Sequence, residues 1–285
     1  MPLALLAALL TTGCDDDGGG SRSPAKIETY VALGDSYTAG SGIGSPVADA
    51  GAGCGQTTQN YPRVAAAALG ATLTDASCAG ASTGNAFTNQ TVNGDQVWPA
   101  QLNLLTEDTD LVTVSFGYND LGFFVDALIA CVSSVAGSPI ATACADPGQA
   151  TTTDASVLAD EIGDRLERVL ERVEDRAPDA RVLVVGYPQP VPAKGSCAAL
   201  SLIDGAYDDA RHDLALLDDA MREAAEDADA GFVDVLAASD GHDVCAGDRA
   251  WVNGPDQTEG VALPFHPFQA EQDAVGGLIA KAATS

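Results

Sequence analysis

Gly34-Asp35-Ser36 stands at the end of an apolar, β-branched run from Ile27 to Leu33, and small and polar residues follow it. Such a run reads as a buried strand. The abrupt change to a Gly-Asp-Ser turn lifts a serine hydroxyl out of the sheet and onto the start of a helix. In an open α/β sheet this is the carboxyl end of a strand, where ligands bind, and Gly34 is expected to relieve the sharp exit. A serine so placed is a candidate nucleophile. It needs a base to take its proton and donors to receive an oxyanion.

Three histidines are available as the base. His212 lies beside Asp208, Asp209 and Asp213 on what reads as a solvated helix face. His242, in Asp240-Gly241-His242-Asp243 near Cys245, reads as a surface residue. His266, in Leu263-Pro264-Phe265-His266-Pro267-Phe268, follows the last strand and precedes the last helix. Its loop ends at the same sheet edge as Ser36, so His266 is the natural base. For the donors, Gly117-Tyr118-Asn119-Asp120 follows an apolar strand, and Cys78-Ala79-Gly80-Ala81-Ser82 follows another. The N–H groups of Ser36 and Gly80 and the Asn119 amide therefore converge as an oxyanion hole. Loss of one such donor typically costs about 100- to 1,000-fold in turnover. This chemistry requires no metal and no organic cofactor.

The elements that must position these residues alternate along the chain. Strands are expected over 27–33, 71–74, 111–116, 181–186 and 231–236, with helices over 62–69, 98–105, 154–176 and 269–281. The helix from Asp154 to Arg176 carries Leu158, Ile162, Leu166, Val169, Leu170 and Val173 at helical spacing, with Asp154 able to cap it. Another long helix carries Tyr207, Ala210, Leu214, Leu217, Met221 and Ala225 on one face. Strands alternating with helices imply a parallel sheet covered on both faces. Residues 132–153, with two cysteines, read as a disulfide-stapled insertion. The domain runs over 27–285, with no boundary inside it.

Composition excludes some partners. The chain of 285 residues has 41 acidic against 13 basic side chains, a net charge of −28. Such a surface repels nucleic acid and anionic membranes, and the acids are spread along the whole chain, which suggests adaptation to high salt. Residues 1–13 resemble an export signal: Leu3 to Leu10 is apolar but too short to span a bilayer. No Lys or Arg precedes it, which points to a leader truncated at its start. Gly13-Cys14, followed by Asp15-Asp16-Asp17-Gly18-Gly19-Gly20-Ser21, reads as a lipidation site on Cys14 with a flexible tether over 14–26, although Thr11 stands where such signals usually carry Leu. The expectation is an exported protein, extracellular or at the cell surface, monomeric, and touching membrane only through that anchor. The other six cysteines, Cys54, Cys78, Cys131, Cys144, Cys197 and Cys245, form an even set without zinc-ligand spacing and read as disulfides. Six cysteines allow 15 pairings.

Taken together, Ser36 in Gly-Asp-Ser, Gly80, Asn119 in Gly-x-Asn-Asp and His266 resemble the four blocks of the SGNH hydrolases, also called the GDSL lipase/acylhydrolase family. The resemblance covers about residues 27–283. The cysteine layout is similar to that of the secreted actinobacterial esterases and lipases of the family, the Streptomyces scabies esterase group. It implies a three-layer α/β/α sandwich of flavodoxin-like type around a five-stranded parallel sheet, and pairs Cys54–Cys78, Cys131–Cys144 and Cys197–Cys245. It also implies a serine esterase or lipase acting on small-molecule or lipid esters, with a carbohydrate O-acetyl esterase as the alternative. One position departs from the pattern. The family often has Asp three residues before the histidine, where this chain has Leu263. Some relatives use a main-chain carbonyl there, so the Leu263 carbonyl is expected to orient His266, with Asp256 or Glu259 as substitutes.

Two rival readings remain at this level. Gly80-Ala81-Ser82-Thr83-Gly84 matches the G-x-S-x-G elbow of α/β-hydrolases, but too few strands precede it. A non-catalytic binding module is the other, and the presence of Ser36, Asn119 and His266 together argues against it. Leu121, Phe123 and Phe124, just after Asn119, fit an acyl pocket or the core.

Overall fold

The computed structural model describes residues 26–129, 132, 154–202, 206–256 and 261–285. Seven strands and eight helices are named in chain order: β1 (Thr29–Gly34), α1 (Ser36–Ala39), α2 (Tyr61–Leu69), β2 (Thr72–Asp75), α3 (Thr83–Phe87), β3 (Gln90–Val92), β4 (Gln96–Trp98), β5 (Leu111–Ser115), α4 (Phe123–Ala127), α5 (Ala155–Arg176), β6 (Arg181–Val185), α6 (Ala206–Asp227), β7 (Gly231–Val233), α7 (Val235–Ala238) and α8 (Gln269–Ala283). Five of the strands form one sheet in the order β2-β1-β5-β6-β7, and every pairing within it is parallel. This is a doubly wound order, and the winding reverses at β1, between β2 and β5. Ligands of such sheets bind beyond the carboxyl ends at that reversal.

The pleat sends alternate residues of β1 to opposite faces. Val31 and Leu33 join Val112, Val114, Ile162, Leu166, Leu214 and Leu217 in a core beneath α5 and α6. Tyr30 and Ala32 join Tyr61, Ala65, Val275 and Ile279 in a second core beneath α2 and α8. The result is three layers, as expected. The apolar stripe of α5 is buried from Ala159 to Val173, and Asp154 caps the helix by accepting from the Ser156 N–H.

Local readings differ in two places, and a third, open at the level of sequence, is resolved. The segment expected as a helix over 98–105 divides into the end of β4, which pairs antiparallel with β3, and a 3-10 turn over Gln101–Leu104. Trp98 is held in the hairpin by its indole N–H, which donates 2.9 Å to the Ala76 carbonyl. The last strand stops at Val233 because Asp234 caps α7 by accepting from Ala237 N. Phe123 and Phe124 are core residues, whereas Leu121 stays exposed.

The Cys54–Cys78 and Cys197–Cys245 disulfides are formed. Cys131–Cys144, the insertion around it, the leader, Cys14 and Glu259 lie outside the described residues. No helix among the described residues is long and apolar enough to cross a membrane, and no cluster of His, Cys, Asp or Glu among them could hold a metal ion.

Candidate active site

β1 ends on Gly34, and α1 begins two residues later at Ser36. Gly34 does not have a positive φ. It is required by close approach instead, since a Cβ there would stand 2.0 Å from Thr38 Oγ1. The Gln101 side chain clamps this glycine from both sides: its Oε1 accepts from Gly34 N at 2.8 Å, and its Nε2 donates to Gly34 O at 2.9 Å. Asp35 then caps α1 by accepting from Tyr37 N through Oδ1. Ser36 is half-buried between neighbours that are fully covered.

The second block is fastened to the first. Cys78 N donates to Gly34 O, and Ala79 N to Cys54 O, so the Cys54–Cys78 disulfide holds the turn that carries Gly80 against the end of β1. Gly80 has φ +76°, and a Cβ built on it would meet nothing closer than 3.9 Å. Its N–H therefore sits on an open, left-handed turn that only glycine adopts readily.

Asn119 follows β5 and is exposed. Its Nδ2 donates to Ala81 O at 3.0 Å and lies 3.4 Å from Asp35 Oδ2. One amide thus touches the residue after Gly80 and the residue before Ser36. Asp120, 1% exposed, accepts from both the Thr83 N–H and its hydroxyl, and Arg165 lies 4.0 Å away. This pins the start of α3 to the end of β5.

His266 arrives from the opposite side. Tyr37, directly after Ser36, lies against its ring at 5.5 Å between centroids, with planes 28° apart. The Tyr37 hydroxyl donates to the Phe265 carbonyl. His266 Nδ1 lies 2.8 Å from the Pro264 carbonyl oxygen, which leaves Nε2 for a serine proton. The orienting carbonyl is therefore that of Pro264 and not that of Leu263. The Leu263 carbonyl is consumed within the turn, where it accepts from His266 N at 3.2 Å and from Asn253 Nδ2 at 3.1 Å. Phe265 takes a positive φ of 55°, and its N–H bonds Gly254 O. The Asp256 carbonyl accepts from Asn253, and no hydrogen bond links the Asp256 side chain to His266. Burial pulls the His266 ring below its usual 6.5, opposed by the Pro264 contact.

All four sequence-derived residues thus meet at one rim. No hydrogen bond joins the Ser36 hydroxyl to His266 among the described residues; they are coupled through Tyr37, and such contacts commonly tighten only with substrate bound. The other histidines are elsewhere. His212 is exposed on α6. His242 is half-buried rather than a free surface residue, with Nδ1 2.6 Å from Arg249 O and its ring stacked on Trp251. Ser82 opens α3, with both its N–H and hydroxyl directed at the Asn85 amide oxygen.

A buried carboxyl lies under the nucleophile. Asp35 is fully covered, and burial pushes it up to about 7 against the opposing Tyr187 hydroxyl and Tyr37 N–H bonds. Sequence reasoning missed Gln101, Asp120, Asn253 and Tyr187, all of which act through long-range side-chain contacts. Only Asp120, adjoining Asn119, carried a local signal.

A half-buried serine on a tight strand-to-helix turn and an imidazole held by a main-chain carbonyl are the parts a serine ester hydrolase needs. The chain belongs to the GDSL-like Lipase/Acylhydrolase family, whose model matches residues 32–270. Among curated proteins it is 41% identical to Lipase 2 of Streptomyces coelicolor over 84% of this chain and 80% of that one. It is 34% identical to an esterase of Streptomyces scabiei over 83% and 78% of the two chains. The solved structure of phospholipase A1 from Streptomyces albidoflavus NA297 superposes with a TM-score of 0.71 at 29% identity, covering 91% of this chain and all of that one. The chain is a carboxylic ester hydrolase.

Proposed function

We propose that Ser36 is the nucleophile and His266 its base, in a Ser-His dyad completed by the Pro264 carbonyl. His266 Nε2 takes the Ser36 proton as the oxygen attacks the ester carbonyl. The oxyanion is received by the Ser36 and Gly80 N–H groups and the Asn119 amide. His266 then protonates the departing alcohol, and water cleaves the acyl-enzyme by the reverse path. The Pro264 carbonyl fixes the ring tautomer. The observation that carries this reading is the Asn119 amide spanning Asp35 and Ala81, because it gathers three blocks into one site.

The substrate is a lipid or simple carboxylic ester. Relatives named lipase, esterase and phospholipase A1 support an acyl ester of a small alcohol or lipid. The leader and Cys14 support export, with attachment through Cys14. The disulfides, which persist in oxidising compartments, support it too.

The test is p-nitrophenyl ester hydrolysis across a chain-length series, with a serine-reactive phosphonate as a stoichiometric label. Ser36→Ala should abolish both turnover and labelling, and Ser82→Ala should retain both. Labelling that survives Ser36→Ala and disappears in Ser82→Ala would overturn the assignment.

A further inference from the structure

Tyr187 belongs to none of the four sequence blocks, yet its side chain touches residues beside two of them. It follows β6 in Gly186-Tyr187-Pro188 and is 3% exposed. Its hydroxyl donates 2.7 Å to Asp35 Oδ2. Its ring stacks on Tyr118, with centroids 3.7 Å apart and planes 12° apart, and meets Tyr37 edge-on at 5.4 Å. Asp35 and Tyr37 flank Ser36, and Tyr118 precedes Asn119. Tyr37 in turn lies against His266.

The accounting at Asp35 gives this contact a chemical meaning. Oδ1 is committed to the Tyr37 N–H that starts α1. Oδ2 faces two donors, the Tyr187 hydroxyl at 2.7 Å and Asn119 Nδ2 at 3.4 Å. The phenol holds the short, strong position, and the amide is left with a long one. The other Asn119 N–H is tied to Ala81 O at 3.0 Å, so the amide plane is fixed while one N–H stays weakly engaged. A weakly engaged N–H can turn its bonding capacity to an oxyanion at little cost. If the phenol oxygen were removed, Oδ2 would be free to draw that N–H into a full hydrogen bond. The donor would then be spent in the ground state, where it does not accelerate the reaction.

We propose that Tyr187 is a positioning residue for ester cleavage: by occupying Asp35 Oδ2 and stacking on Tyr118, it keeps the Asn119 N–H directed at the oxyanion. This rests on the donor role given to Asn119 above. The ring alone would serve ordinary core packing. The hydroxyl is what the proposal needs, and Tyr187→Phe removes only that.

The experiment is a double-mutant cycle of Tyr187→Phe and Asn119→Ala on p-nitrophenyl butyrate, with kcat and KM measured separately and thermal unfolding followed for each variant. Tyr187→Phe is expected to lower kcat about 10-fold, a fraction of the cost of losing a whole donor, with KM within about two-fold. In the Asn119→Ala background the same change should cost less than about two-fold. Asp35→Asn replaces the competing acceptor with an N–H, so adding Tyr187→Phe to it should cost less than about two-fold, and this arm leaves no buried carboxyl unpaired should Tyr187→Phe alone unfold. An unchanged kcat in folded Tyr187→Phe, or losses that multiply in the double variant, would overturn the proposal. Asn119→Ala by itself reports on the oxyanion hole: if kcat survives it, the Asn119 assignment falls, and Tyr187 as a guide for that amide falls with it.

Discussion

Glu271 gives the clearest quantitative handle on this fold. It stands in the first turn of α8, 2% exposed, and its carboxylate accepts from the Gln272 amide at 2.7 Å. Burial pushes its carboxyl from 4.5 up to about 8. The folded protein therefore holds a proton across that window that the unfolded chain releases. Fewer protons bound when unfolded means that stability falls as pH rises. The contribution is fully present below about 4.5 and is lost as pH passes through about 8. At about 1.4 kcal/mol per pH unit, the loss is on the order of 5 kcal/mol, less up to ~1 kcal/mol returned by a negative charge at a helix N-terminus. Glu271→Gln keeps the size and an acceptor for Gln272 but never ionises. It should match the wild type near pH 4 and exceed its stability by several kcal/mol at pH 9, by urea unfolding at half-unit steps. Asp35 and Asp218, pushed up to about 7 and about 6, slope the same way in both proteins and cancel in the difference. Turnover should persist, because Gln272 and not Glu271 holds the Tyr37 carbonyl. Parallel curves, or a variant less stable at pH 9, would refute the reasoning.

Because burial holds His266 below 6.5, kcat/KM should climb with pH and level off with a midpoint under 6.5; a midpoint above it contradicts the assigned environment. Asp256→Ala should leave turnover within about two-fold, whereas His266→Ala should cost about 1,000-fold or more; comparable losses would mean that a carboxylate orients the ring. Replacing Cys54 and Cys78 by alanine opens a loop of 24 residues, worth about 3 kcal/mol by loop-closure entropy. It should also lower kcat by loosening Gly80, which unfolding and kinetics on the double variant would measure together. With 41 acidic against 13 basic residues, and with Glu167 raised by burial and by neighbouring Asp227, Asp164, Glu171 and Glu223, the melting temperature should rise from low to molar salt as repulsion is screened. A flat or falling melting temperature ends that idea.

The parts of this molecule legible in its sequence are those written in local pattern. The apolar run before Gly34 and the 3.6-residue stripe of α5 need no knowledge of their neighbours, and both stand as read. The four candidate site residues could be picked out because each follows or borders an element end that parallel winding brings to one rim. What escaped depends on contacts distant in sequence or on single dihedral angles. Leu102, Leu104 and Leu105 gave a helical look to a segment whose Trp98 is captured by Ala76. The choice between the Leu263 and Pro264 carbonyls turns on the positive φ of Phe265, a residue type that gives no warning of it. Gln101 and Tyr187 act 67 and 152 residues away from Gly34 and Asp35, so nothing nearby could announce them.

β1 delivers the chain to Ser36 at one pole of the sheet and receives it at Thr29 from the other. Its six residues put about 20 Å between those poles. Anything fastened upstream of Lys26 therefore pulls on the floor of the molecule while ester cleavage happens on its roof. A lipid on Cys14 would fasten the enzyme by the pole opposite Ser36, and a flexible Gly-rich tether would leave that mouth free to turn toward its surroundings.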